Sequence, residues 1–139
     1  MTSPSTADPR PTNERLPEVH AYADELARLD AVATIAAIDA GELSAREVNA
    51  AAIERARAVD PRVAAVAFER YDEALRSVGT RPTRRGGLEG VPTFIKDMVP
   101  VAGLPSTWGA AALADAPPQS RTRGVARDVE RMGMSILGT

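Results

Sequence analysis

The stretch Leu88-Glu89-Gly90-Val91-Pro92-Thr93-Phe94-Ile95-Lys96-Asp97 decides the reading of this chain. Val91 to Ile95 reads as an apolar strand, and Lys96 closes it at a point where a solvated charge is least expected. Seventeen residues are Lys or Arg, and Lys96 is the one lysine among them. A guanidinium keeps its proton at any useful pH, whereas burial can push an ammonium neutral. A site that needs an amine able to deprotonate explains Lys96 most simply; the alternative is that one lysine falls there by chance in an Arg-biased chain. Asp97 next to it either pairs with the ammonium, which would favour the charged form, or caps the turn.

Working outward, the chain alternates helical and strand-like segments. Leu26, Leu29, Ala33, Ala36 and Ala37 recur at helical spacing from Asp24 to Ala40, with Val32, Ile35 and Ile38 widening the stripe and Gly41 as the stop. Ser44-Ala45-Arg46-Glu47 is a capping box that opens a second helix through Val48, Ala52, Ile53 and Ala56, and Asp60-Pro61 predicts its end. Arg62 to Phe68 reads as a strand, and Glu69 to Val78 as a short helix stopped by Gly79. The loop Gly79 to Gly87 carries three arginines, which a solvated loop explains better than an anion site does. Downstream, Thr122 predicts the cap of a last helix with Val125, Val129 and Met132 on its buried face and Gly133 as its stop. Met134 to Leu137 then predicts a further buried strand. Helices interleaved with strands predict an α/β fold.

Bulk properties exclude several classes. A formal net charge of −2 offers no pull toward nucleic acid or acidic lipid, and no nucleic-acid partner is expected. Apolar residues make up 44% of the chain, but no run reaches the ~18 needed for a membrane span. Zero cysteines exclude a disulfide framework and fit a cytoplasmic location. His20, the single histidine, sits in a polar lead-in and suggests no metal site, and no glycine pattern suggests a phosphate or other cofactor. Residues 1–20, rich in Pro, Ser and Thr, are expected to be a disordered lead-in, with one domain over residues 21–139.

Four segments together resemble the N-terminal part of the amidase signature family: Ile38 to Ala45, Ala58 to Pro61, Leu88 to Asp97, and Val101 to Thr107. Arg127 to Gly138 is similar to that family's helix and strand ahead of its serine-rich loop. The resemblance implies N-terminal helices plus the first strands of a mixed sheet, as an incomplete amidase-signature domain. It also implies a Ser–Ser–Lys hydrolase of carbon–nitrogen (amide) bonds, acting on a small-molecule amide, with Lys96 at the catalytic lysine. In such enzymes one serine attacks the carbonyl while a second, on a cis peptide, relays its proton to a neutral lysine.

The departures are specific. None of Ser3, Ser5, Ser44, Ser77, Ser106, Ser120 and Ser135 lies in a Gly-rich double-serine loop, so the chain is expected to be a truncated fragment that is inactive alone. Ser106, near the lysine strand, is a poor candidate for the nucleophile. Trp108 stands where the family more often has a small residue, and is expected to be a packing residue. The rival expectations are a non-catalytic interaction module, a fragment completed by a second chain bearing the serine loop, and a piece of the amide-cleaving component of a glutamyl-tRNA amidotransferase.

Overall fold

Ile136 and Leu137 are neighbours on one strand, and their side chains enter opposite halves of the core, as alternation along a strand requires. The strand is β2 (Ser135–Gly138), paired in parallel with β1 (Pro92–Phe94). The computed structural model describes residues 25–79 and 87–139. Among those residues four α-helices complete the fold: α1 (Ala31–Asp39), α2 (Ala45–Val63), α3 (Tyr71–Ser77) and α4 (Gly124–Arg131). Leu137 packs with Ile53 of α2 and with Tyr71 and Ala74 of α3. Ile136 packs with Ile95, Val101, Leu104 and, from α4, Ala126 and Val129. The result is an α/β arrangement, helices covering both faces of a small sheet. The expected lead-in, residues 1–20, and the three-arginine loop lie outside the described residues, apart from Gly79 and Gly87 at that loop's ends.

The sheet begins where α2 holds the chain. Asn49, 0% exposed, donates to the carbonyls of Ala45 and Gly90, both at 2.7 Å. Gly90 adopts φ +79° and crosses so close to α2 that a β-carbon there would run into Ala45. A side chain is therefore excluded twice, by backbone conformation and by space. From that point Val91 accepts from the Ser135 amide at 2.9 Å, and the parallel register Pro92 to Ser135 and Thr93 to Ile136 follows.

Several expected elements form with altered limits. The single helix over Asp24 to Ala40 is instead a 3-10 turn, Glu25–Arg28, followed by α1, because Asp30 breaks off and caps α1 through the Ala33 amide at 2.8 Å. The wide apolar stripe expected there is not a buried face: Thr34 alone is buried on α1, and Val32 is 74% exposed. The capping box of α2 is present in both directions. Pro61, expected to end α2, lies within it; close to the end it forgoes a single backbone bond, and Asp60 manages the exit by accepting from the Ala65 and Val66 amides.

The strand expected over Arg62–Phe68 is consequently absent, since its first residues belong to α2. Residues 67–70 instead bond along β2, with Ala67 and Phe68 donating to the Thr139 carbonyl and Arg70 to that of Leu137, around an antiparallel bridge from Glu69 to Gly138. Thr122 does not cap α4 with its side chain; its hydroxyl accepts from the Ala102 amide and donates to Glu130. On α4, Val125 is exposed, as is Met132 just past its end, while Ala126 and Val129 form the buried face.

Candidate active site

Two parallel strands end side by side at Ile95 and Gly138, whose backbones are joined by a 3.0 Å hydrogen bond. The next residue of each segment, Lys96 and Thr139, opens onto a recess of about 550 Å³. Phe94, Met98, Thr107 and Trp108 also line it. Crevices beyond the carboxyl ends of strands are where open α/β sheets bind ligands, and the volume falls in the ordinary range for small-molecule sites. The recess that contains Lys96 is thus a candidate site by topology as well as by shape.

The lysine is presented by a tight turn. Its carbonyl accepts from the Met98 amide at 2.7 Å and the Val99 amide at 2.9 Å, while Ile95 before it is buried in the core. The backbone is fixed on both sides and the side chain is exposed. Asp97 lines the same recess, but no ion pair joins it to Lys96. Its carboxylate accepts from the Thr107 amide at 2.9 and 3.1 Å and from the Thr107 hydroxyl. The Asp97 carbonyl accepts from the Trp108 amide at 3.2 Å and from the Ser106 hydroxyl at 3.3 Å. Both expectations for Asp97 therefore give way to a third role. It clamps residues 106–108 against the lysine turn.

Trp108, expected to pack, is 65% exposed and holds φ +57°, the left-handed region. A bulky side chain there is strained, and the clamp on either side keeps it. Thr139 contributes a buried hydroxyl, Oγ1, without a hydrogen-bond partner. Among the described residues no serine lines the recess, and no His, Cys, Asp and Glu side chains cluster as metal ligands. Ser44 is spent on the helix cap, Ser106 on the Asp97 carbonyl, and Ser135 lies buried in β2. Sequence reasoning finds Lys96 and passes over Thr107 and Thr139. Asp97 and Thr107 are ten positions apart, and nothing in the spacing of a loop foretells such a pairing.

The fold is α/β, and its candidate site lies at the carboxyl ends of two parallel strands, beside Lys96. The family model for amidases matches residues 47–139, and the chain belongs to the amidase family. AmiC of Mycobacterium tuberculosis, named as a putative amidase, is 44% identical over 68% of this chain and 20% of its own length. The A subunit of the glutamyl-tRNA(Gln) amidotransferase of Acidothermus cellulolyticus is 39% identical over 82% of this chain and 24% of its own. The solved structure of a bacterial aryl acylamidase of the amidase signature family matches with a TM-score of 0.69 at 27% identity, over 79% of this chain and 24% of that one. The chain thus spans 20–24% of the length of these curated relatives.

Proposed function

We propose that these residues furnish the lysine base of an amide hydrolase, with Lys96 as that base. The observation that carries the reading is the position of Lys96: at the carboxyl end of β1, on the recess, with no carboxylate in ion-pair contact among the described residues. A hydroxyl is a weak nucleophile until a neighbouring base removes its proton. In the reaction the family resemblance implies, a serine hydroxyl gives its proton, by way of a second serine, to the neutral lysine amine. The serine oxygen bonds to the amide carbon, the carbon–nitrogen bond breaks, and the proton leaves with the amine. Water then cleaves the acyl–serine ester. Both serines come from polypeptide outside these 139 residues, in the same chain or in a second one.

Burial is what turns an ammonium into a base, because desolvation disfavours the charged form. In this reading the polypeptide that brings the serines also covers the exposed Lys96. The 139 residues alone then hydrolyse no simple aliphatic or aryl amide above the level of their Lys96→Ala variant. Joined to a serine-bearing amidase segment they gain activity, and Lys96→Ala lowers kcat by about 10²–10⁴-fold. Turnover by the 139 residues alone that Lys96→Ala abolishes would reveal another nucleophile and defeat the proposal. So would a joined enzyme indifferent to Lys96→Ala.

A second reading has its own support. The amidotransferase relative from Acidothermus cellulolyticus aligns over 82% of this chain, more than the 68% for AmiC. On that reading Lys96 keeps its role as base, and the amide cleaved serves as an ammonia donor for a partner protein. Release of ammonia that rises only when the other amidotransferase components are added distinguishes it from free amide hydrolysis.

A further inference from the structure

We propose that Thr107 is a positioning residue for Lys96: it holds the Asp97 carboxylate and so leaves the amine free to act as a base. The inference rests on reading Lys96 as that base. Lys96 and Asp97 are consecutive, and they are the two ionisable side chains among the residues that line the recess. A carboxylate paired with an ammonium favours the charged form, which is the form that cannot take a proton. An acid next in sequence to a basic amine thus works against it unless another group occupies it.

Thr107 occupies it on both oxygens. Its amide donates to the two carboxylate oxygens at 2.9 and 3.1 Å, and its hydroxyl donates to Oδ2. The main chain of Asp97 is held as well, because its carbonyl accepts from the Trp108 amide at 3.2 Å and the Ser106 hydroxyl at 3.3 Å. Hydrogen bonds to an ionised acceptor are stronger than neutral ones, whereas an exposed ion pair gains little, so the threonine wins the carboxylate. All of these bonds join segments within the 139 residues, and none needs polypeptide from outside them. Any residue would supply the amide; the hydroxyl on Oδ2 is what threonine adds. Valine at position 107 keeps the amide and loses that hydroxyl, so it isolates the role.

Carbamylation by cyanate tests this, since an amine reacts only when neutral and the chain holds one lysine. Mass spectrometry of the Lys96 peptide reads the rate at neutral pH, apart from that of the N-terminal amine. With Thr107→Val the freed carboxylate turns to the ammonium and the rate falls about 1.5- to 5-fold, the equivalent of an exposed ion pair. Thr107→Ser should keep the original rate. Asp97→Asn should raise the rate more in the Thr107→Val chain than in the unaltered one. The Thr139 α-carboxylate of the 139-residue chain is common to every variant and cancels in these ratios. A rate that Thr107→Val leaves unchanged or raises, or a fall that persists once Asp97→Asn is added, overturns the proposal. If Thr107→Val does not fold, the unaltered chain decides. Protonating Asp97, followed at the Thr107 amide by NMR, should leave the Lys96 Nζ signal in place; a signal that moves with it reveals a pair and overturns the proposal.

The joined enzyme separates this inference from the one beneath it. There Thr107→Val should lower kcat at neutral pH with KM unchanged, and the loss should close in alkaline solution. Lysine-dependent hydrolysis without that loss leaves the base standing and removes the positioning role. The expected cyanate rates beside an enzyme indifferent to Lys96→Ala keep Thr107 as the holder of Asp97 and remove the base.

Discussion

Lys96 and Trp108 show how much a single residue's setting adds to its identity. Lys96 is conspicuous as the one lysine among seventeen basic residues, and the fold sets it on a recess that the sequence does not describe. Trp108 reads as a packing residue because apolar aromatics are usually buried; its left-handed φ and its 65% exposure come from a clamp whose carboxylate lies upstream, at Asp97. That strain has a measurable consequence. The left-handed region costs a non-glycine residue ~1–2 kcal/mol, while glycine's extra freedom in the unfolded chain returns ~0.5–1 kcal/mol of that. Trp108→Gly should therefore leave stability unchanged or raise it by up to ~1.5 kcal/mol in urea unfolding. A loss larger than ~1 kcal/mol would show that the ring packs after all.

The start of α2 is legible in advance, because its capping box is local chemistry. The Ser44 hydroxyl accepts from the Glu47 amide at 3.1 Å, and the Glu47 carboxylate accepts from the Ser44 amide at 2.8 Å, as the spacing requires. Ser44→Ala should cost ~1 kcal/mol in thermal or urea unfolding, whereas Ser44→Asp should keep most of the cap. The same geometry lowers the Glu47 pKa, chiefly through the Ser44 side-chain hydrogen bond. A lowered folded-state pKa gives stability that is present above the unfolded value and lost as pH falls through the folded one. The penalty of Ser44→Ala should accordingly shrink on the acid side. Where elements depend on distant partners, local signals fail. Asp60 carries α2 past Pro61 by catching two amides beyond its end, and that removes the strand expected at Arg62–Phe68.

Across the whole molecule, β2 joins the two halves of the core and α3 closes one of them through Tyr71. Tyr71 is buried beside Ile53 and Leu137, meets Phe94 edge-on at 6.4 Å, and lies under the Arg57 guanidinium at 5.3 Å. Burial raises its phenol pKa, with Glu69 and Asp60 adding to the rise and Arg57 opposing it. A raised folded-state pKa contributes stability below the unfolded value, near ~10, which is lost as pH climbs toward the folded one. The protein should lose stability above about pH 10, and Tyr71→Phe should flatten that alkaline limb. An alkaline limb unchanged in Tyr71→Phe would assign it to another group. On the opposite side, the half-buried Arg70–Glu130 pair at 3.5 Å and the Thr122 hydroxyl link the entry of α3 to α4.

The sequence by itself determined the α/β class, the capping box, the glycine stops at Gly41, Gly79 and Gly133, the two strands around Lys96 and Ile136, and membership of the amidase family. All of these rest on interactions between near neighbours or on motifs of a few residues, so they survive without knowledge of distant contacts. Tertiary structure alone decided the rest. It set the Asp97 carboxylate on Thr107, Trp108 out on the recess wall, Thr139 beside Lys96, and residues 67–70 along β2. Each of those outcomes turns on which of several available polar partners lies within about 3 Å, a choice made only when segments far apart in the chain pack together.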